Sequence, residues 1–298
     1  MLLNYVGMLF CIVVWGSNFV ASSWLVQQFS PLALAAIRLS LTSVFLVISA
    51  LLMHKFSVLS KKHLVYLLLS GFFGTLINQV CFFKAVTYTS PTESALIMSL
   101  TPIATCAFAY FILKEQITPR MVIGSMIAIM GVYVLIARGT GLIHPSLGDA
   151  YAFGAMLSFS FNQVIIRKLT LYLDTFIVTV YCTILGTGMF IPLAMMTTPS
   201  PSIGHTFMDW LILILSGIMS QGVCGLIWNR NMAQVGASKA SILTDLQPFV
   251  AMVTGYVFLG LPITFIQLLG GCLIILGVIF STVRFRIRKK NHTASIGI

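Results

Sequence analysis

Apolar runs of about 20 residues, each long enough to cross a hydrocarbon core of roughly 30 Å as a helix, follow one another along most of the chain with short polar breaks between them. Their limits predict ten helices: Leu2 to Ser22, Pro31 to Met53, His63 to Thr87, Pro91 to Leu113, Pro119 to Ala137, Gly148 to Ile166, Thr175 to Met196, Phe207 to Asn231, Gly236 to Leu259 and Ile263 to Val283. No break is long enough to hold a soluble domain.

The pattern repeats. Moved forward by 146 positions, Tyr88 to Val132 lies without a gap on Gln234 to Val278. Leu100 falls on Leu246, Pro102 on Pro248, Tyr110 on Tyr256, Gly124 on Gly270, and Gly131-Val132 on Gly277-Val278. Five spans to a copy is an odd number, so the second copy enters a membrane in the opposite sense. The expected fold is an all-α integral membrane protein with ten transmembrane helices, arranged as two inverted five-helix repeats around a central cavity. The expected units are 1–138 and 148–285, with a connecting loop at 139–147 and a basic cytoplasmic tail at 286–298. Inverted repeats place a binding site near the midplane and exchange inward-open with outward-open forms.

Composition agrees with the pattern: 58% of residues are hydrophobic and 8% charged, against roughly 25% charged in soluble domains. The net charge of +11 invites a nucleic-acid reading until its distribution is followed. With the N-terminus cytoplasmic, the even-numbered breaks and the tail carry Lys55, Lys61, Lys62, Lys114, Arg120, Arg167, Lys168, Arg230, Lys239, Arg284, Arg286, Arg288, Lys289 and Lys290. The other side carries Lys84 and Arg138. The positive-inside bias then puts both termini in the cytoplasm and accounts for the charge without nucleic acid. The first segment has no basic start and no small-residue cleavage pattern, so a retained helix is expected. The six cysteines are scattered one to a hydrophobic segment, which suits small buried residues better than disulfides or a metal site.

Polar groups inside apolar helices need protein partners or water. The first helix holds Trp15 and Asn18, the latter either an interhelical hydrogen-bonding group or a substrate contact. Arg38, two turns into the second helix, either snorkels, makes a structural ion pair, or stands as a fixed charge in a water-filled space. Asn78 and Gln79, Asn162 and Gln163, and Gln221 with Trp228 mark the third, sixth and eighth helices. Pro102 and Pro248 should kink helices four and nine and free the carbonyls of Met98 and Thr244 to a cavity. Beside them sit Ser99 and, at the matching place, Asp245, a deep carboxylate that must be protonated, paired or wetted. Arg38 is one candidate partner for Asp245. Lys84 and Arg230 match under the same offset and are either snorkelling boundary cations or a paired anion gate. The glycines at 124, 131, 270, 271 and 277 make a small-residue strip for close helix packing.

The WGSNF of the first helix, the AAIRLSL of the second, FFKAVTYTSP leading into a proline-bearing helix, and the FILKEQIT turn before a glycine-spaced helix resemble the EamA-like family of drug/metabolite transporters over nearly the whole chain. The resemblance implies a ten-helix basket with a central cavity, and bacterial exporters of amino acids and related metabolites. Two departures stand out. The turn glutamate present as Glu115 is replaced in the second half by Leu261-Pro262, and the tryptophan expected in helix six is Phe161.

The expected function is therefore export of amino acids or related small metabolites across the bacterial inner membrane by alternating access. The expected substrate-binding set is Trp15, Asn18, Arg38, Asn78, Gln79, Ser99, Asn162, Gln163, Gln221, Trp228 and Asp245. Import or exchange of an S-adenosylmethionine-like or phosphate-bearing metabolite, or export of toxic organic cations, stays open. Small multidrug relatives use a buried glutamate in the first helix, which is absent here, so the cation reading would need Asp245. Phosphate would want several convergent cations. No His/Cys/Asp constellation has the spacing of an enzyme, and no cofactor or metal is expected. Partners reduce to a small substrate and the bilayer, with a monomer as the expected assembly and a dimer as the alternative.

Overall fold

The computed structural model describes residues 2–55, 59–88, 97–136, 146–198, 200–204, 206–260 and 263–282. The tail at 286–298, Arg138, Leu261-Pro262 and nearly all of the loop at 139–147 lie outside them. All regular structure among the described residues is helical, in ten successive rods. In chain order these are α1 (Leu2–Gln28), α2 (Pro31–Leu52), α3 (Lys61–Ser70, Gly71–Ile77 and Asn78–Tyr88), α4 (Thr101–Leu113) and α5 (Pro119–Ile136). The others are α6 (Leu147–Leu169), α7 (Thr175–Thr197), α8 (Phe207–Gly217, Ile218–Val223 and Cys224–Val235), α9 (Ala237–Leu243, Thr244–Leu246 and Gln247–Leu259) and α10 (Phe265–Thr282). Five of them, α1, α2, α3, α7 and α8, are long and apolar enough to cross a membrane. Helices suit that environment because they satisfy their backbone groups internally.

Local sequence explains the ends. Ser146 with Asp149, and Thr206 with Asp209, form capping boxes that open α6 and α8, each serving amide groups that a helix start leaves free. Pro31 and Pro119 start α2 and α5, where a missing N–H costs nothing. Lys114 and Gly260 end α4 and α9 in the left-handed region at φ 56° and 64°. These two residues are 146 apart, as are the bounds of Thr101–Leu113 with Gln247–Leu259 and the starts of α5 and α10.

The middle of α3 and of α8 is π-helical, over Gly71–Ile77 and Ile218–Val223. Under the 146 offset the first maps on 217–223, so the widened turn recurs at one place in both halves. Such turns are rare and concentrate at functional sites.

The prolines act differently from the expectation. Helix α9 changes to a 3-10 turn at Thr244–Leu246 before restarting at Gln247, and α4 starts at Thr101 after a turn, so Pro102 and Pro248 occupy the second position of a new helical segment. The carbonyls expected to be free are taken: Thr101 Oγ1 donates to the Met98 carbonyl at 2.6 Å, and the Gln247 N–H donates to Thr244. A proline in a first turn needs no sacrificed hydrogen bond, so each helix is divided without leaving an acceptor exposed.

Helices α5 and α10 pack along their glycines. A Cβ on Gly131 would lie 2.6 Å from the Ile274 nitrogen and 2.8 Å from the Gly270 oxygen. A Cβ on Gly277 would lie 2.6 Å from the Gly124 oxygen. Gly124 therefore meets Gly277, and Gly131 meets Gly270, so the two helices run antiparallel. Elsewhere Gly71 of α3 abuts Gly186 of α7, and its counterpart Gly217 of α8 lies against Arg38 of α2.

Side-chain contacts sort the breaks into two ends. At one end Asn4 bonds Gln234 at 2.8 Å, His63 stacks on Tyr172, Lys55 lies over Phe176, and Lys168 lies over Tyr66. At the other, Ser30 accepts from the Ser202 amide at 2.8 Å, Phe29 meets Trp210 edge-on, and Tyr88 and Tyr151 stack. Alternate breaks thus gather at opposite ends, as rods that run back and forth require.

Candidate functional site

The residues of the candidate site gather where α1, α2, α6 and α8 meet. Arg38, 7% exposed, does not snorkel. Its guanidinium donates from Nη1 to Ser22 Oγ at 3.0 Å, and from Nη2 to Asn18 Oδ1 at 2.9 Å and Ser220 Oγ at 3.1 Å. One charged side chain of α2 thereby ties α1 to the π-helical turn of α8. The Arg38 stem passes Gly217, where even a Cβ would lie at an ordinary contact distance of 3.6 Å. Thr42, one turn further along α2, donates to the Arg38 carbonyl at 2.9 Å and to that of Gly217 at 3.2 Å.

The widened turn also presents backbone. The indole Nε1 of Trp15 donates to the Ser220 carbonyl at 2.7 Å. Trp15 in turn meets Trp228 with ring centroids 4.8 Å apart and planes tilted by 53°. Trp228 is 3% exposed, and its Nε1 donates to Gln163 Oε1 at 3.0 Å. A continuous chain thus runs Arg38, Ser220, Trp15, Trp228, Gln163. It brings together Trp15, Asn18, Arg38, Gln163 and Trp228 from the expected set, and adds Ser22 and Ser220. Ser22 was legible in principle, because it lies one turn after Asn18 on the same helix face. Ser220 was not, because only the π-helical turn decides its direction.

The other expected residues lie apart from this chain. Asn162 accepts from Ser70 Oγ at 2.6 Å and fills the space over Gly74. Asn78 donates to the Ala155 carbonyl at 2.9 Å, fastening α3 to α6. Gln79 is half-buried beside it, and Ser99 is 5% exposed at the turn before α4. Phe161 stands where the first half has Trp15 and packs edge-on against Phe73 and Phe108, so an apolar cluster replaces the indole contact.

Asp245 is 2% exposed, and its Oδ2 has no hydrogen-bond partner. Its turn packs against α1, α5 and α10. The pairing with Arg38 is not formed, because the guanidinium is turned to Asn18 and Ser22 of α1 and Ser220 of α8. Three further buried atoms of the expected set are also without partners, Arg38 Nε, Gln163 Nε2 and Gln221 Oε1. The paired gate of Lys84 with Arg230 is not formed either. Lys84 lies over the Tyr151 ring at 5.2 Å, at the end opposite Arg230, which is exposed.

Among the described residues the one ion pair joins Arg167 to Glu115 at 3.9 Å. The Glu115 carboxylate also accepts from the Ala237 and Ser238 amides at 3.0 and 3.1 Å and from Ser238 Oγ at 2.8 Å. It ties the turn after α4 to the start of α9 and the end of α6. A groove of about 380 Å³ between α1, α9 and α10, lined by Tyr5, Leu9, Ile12, Leu246, Phe249 and Val278 among others, is almost wholly apolar. It suits acyl chains and not a polar substrate.

Comparison with known proteins agrees with these features. The model of the EamA-like transporter family matches residues 2–137 and again 146–283. The uncharacterized transporter YyaM of Bacillus subtilis is 29% identical over 294 residues, covering 96% of each chain. The uncharacterized transporter YetK of the same organism is 25% identical over 296 residues, covering 97% of this chain and 88% of its own. An uncharacterized transporter of Archaeoglobus fulgidus is 25% identical over 272 residues, covering 90% of this chain and 94% of its own. A protein of known crystal structure superposes with a TM-score of 0.80 at 20% identity, over 94% of this chain and 98% of that one, and so shares the fold. With apolar helices of membrane-crossing length and both halves matched, the chain belongs to the EamA-like transporter family, and is an integral membrane transporter and not an enzyme.

Proposed function

We propose that this transporter exports amino acids or related small metabolites by alternating access, as ten spans in two inverted repeats in the bacterial inner membrane, with both termini cytoplasmic. The observation that supports the inverted repeats, and with them alternating access, is the reciprocal contact of Gly124 with Gly277 and Gly131 with Gly270. Gly124 corresponds to Gly270 and Gly131 to Gly277, so each copy presents the same surface to the other in opposite direction. That is the relation of a pseudo-two-fold axis crossing the helices, which in a bilayer supports inverted repeats. The cations supply the orientation: among the described residues Lys55, Lys61, Lys62, Lys114, Arg120, Arg167, Lys168, Arg230 and Lys239 belong to the end where Asn4 meets Gln234, and Lys84 to the other. The positive-inside bias makes the first end cytoplasmic.

The site favours a small zwitterion over a phosphate-bearing substrate. Arg38 is buried between helices whereas Lys84 and Arg230 are exposed, so the cations do not converge as a phosphate would want, and a single guanidinium matches one carboxylate. The test is counterflow in liposomes holding the purified protein, with a panel of L-amino acids inside and the radiolabelled compound outside. Accumulation of at least one zwitterionic amino acid is expected. No counterflow with any of them would end the substrate assignment. Single cysteines placed at 55 and 202 should react from opposite faces, and labelling from one face would refute the ten-span arrangement.

A further inference from the structure

We propose that the Arg38 guanidinium is the subsite for one carboxylate group of the transported molecule, a reading that rests on the transport function above and narrows it to carboxylates with an apolar body. A buried charge needs an opposite charge or a full set of hydrogen bonds. Arg38 has neither. Its three acceptors, Asn18 Oδ1, Ser22 Oγ and Ser220 Oγ, are all neutral, and its Nε has no partner. Among the described residues no carboxylate lies within ion-pairing distance of it. The protein thus holds a cation in place and leaves its compensation to something else.

The free donor decides how an anion would sit. Nη2 already donates to two acceptors, while Nε is buried without a partner, so an anion reaches it only when the surrounding helices part. A carboxylate on the Nε and Nη2 edge makes the two parallel bonds that guanidinium geometry favours, and it displaces either Asn18 or Ser220 from Nη2. A charged acceptor then replaces a neutral one. Because Asn18 belongs to α1 and Ser220 to the π-helical turn of α8, binding loosens one tie between those helices. The residue whose hydroxyl holds Arg38 also accepts from Trp15 through its carbonyl, so the Trp15–Trp228 pair begins beside the guanidinium and offers an aromatic wall to the rest of the ligand. The second half has Ile184 where the first has Arg38, which leaves one such subsite.

The test uses the purified full-length protein and reads intrinsic tryptophan fluorescence and thermal stability during titration. The probes are L-leucine and L-phenylalanine, their amides, the matching amines, and 4-methylvalerate and 3-phenylpropionate. Binding of at least one carboxylate is expected, with its amide weaker by about 10- to 100-fold, the usual scale for a hydrogen bond to a charged group. Arg38→Gln should abolish the difference between acid and amide, and Arg38→Lys should keep part of it. Equal binding of acid and amide, an acid preference that survives in Arg38→Gln, or no carboxylate binding at all would overturn the subsite. Should Arg38→Gln fail to fold, phenylglyoxal modification of Arg38 in the wild type, located by mass spectrometry, is expected to slow with the acid and not with its amide. Modification at the same rate with both would again overturn it. Counterflow separates the two readings: amides or amines exchanged as well as acids would remove the subsite and leave transport standing. Carboxylate-selective binding with no counterflow of any compound would keep the subsite and remove the transport reading.

Discussion

Gly124 and Gly277 lie so close across the contact of α5 and α10 that a Cβ on either would come within 2.6 Å of the other's carbonyl oxygen. Packing of this kind drives helix association in membranes, where lipid is as apolar as the side chains. Gly277→Ala should destabilise the protein by about 1–3 kcal/mol, the usual cost of overpacking. Gly188→Ala is the control, because a Cβ there meets nothing within 4 Å and a helical glycine gains roughly 0.5–1 kcal/mol on becoming alanine. Melting temperatures in detergent should fall for the first and hold or rise for the second.

The Trp228 indole and Gln163 form a buried pair at 3.0 Å. Trp228→Phe leaves the Gln163 oxygen unbonded, at a cost of about 1–3 kcal/mol. Gln163→Leu in the same protein removes the stranded acceptor and should recover part of the loss. A double-mutant cycle on thermal stability measures the coupling, and strict additivity would show that the hydrogen bond contributes nothing.

Glu115 accepts from two amides and a hydroxyl at the start of α9 and pairs with Arg167. Glu115→Ala strands those donors and should cost about 0.5–2 kcal/mol, as loss of a capping side chain does. The end that carries Glu115 should then open more often. Thiol labelling of a Lys239→Cys variant is expected to quicken in the Glu115→Ala background, while Glu115→Gln, which keeps an acceptor, should lie between.

Asp245 is buried with an oxygen that no group bonds. Asparagine has nearly the same shape without the charge, so Asp245→Asn should fold at least as well as wild type. Counterflow should persist, and if the Asp245 carboxyl carries a proton through the transport cycle, the response of counterflow to an imposed pH gradient should disappear. A variant that keeps the wild-type response would take Asp245 out of coupling.

Much of the fold was legible because hydropathy in a membrane helix reports length directly. The bounds of α5 and α7 were close to those expected. The 146-residue offset anticipated corresponding segments such as Thr101–Leu113 and Gln247–Leu259. The first helix, expected to end at Ser22, continues to Gln28, since amide side chains at a boundary do not by themselves stop a helix. The site was legible in part. Trp15, Asn18, Arg38, Gln163 and Trp228 were picked out by being polar or amphipathic in apolar surroundings, and they do meet. Asn78 and Asn162 carry the same signal, yet fasten helices to each other.

What the sequence alone determined is a chain of apolar helices in two related halves, with an arginine and a carboxylate among them. Both follow from the expense of burying polar groups in hydrocarbon, which restricts where any of them can stand. Only the tertiary structure decided what each polar group faces. Arg38 turned to Asn18, Ser22 and Ser220, away from Asp245, because a π-helical turn in α8 carries Ser220 toward it. The carbonyls beside Pro102 and Pro248 were taken up by Thr101 and Gln247. Those outcomes depend on helix rotation and crossing, which are set by contacts such as Gly124 with Gly277 between residues far apart in the chain, and no local pattern encodes them.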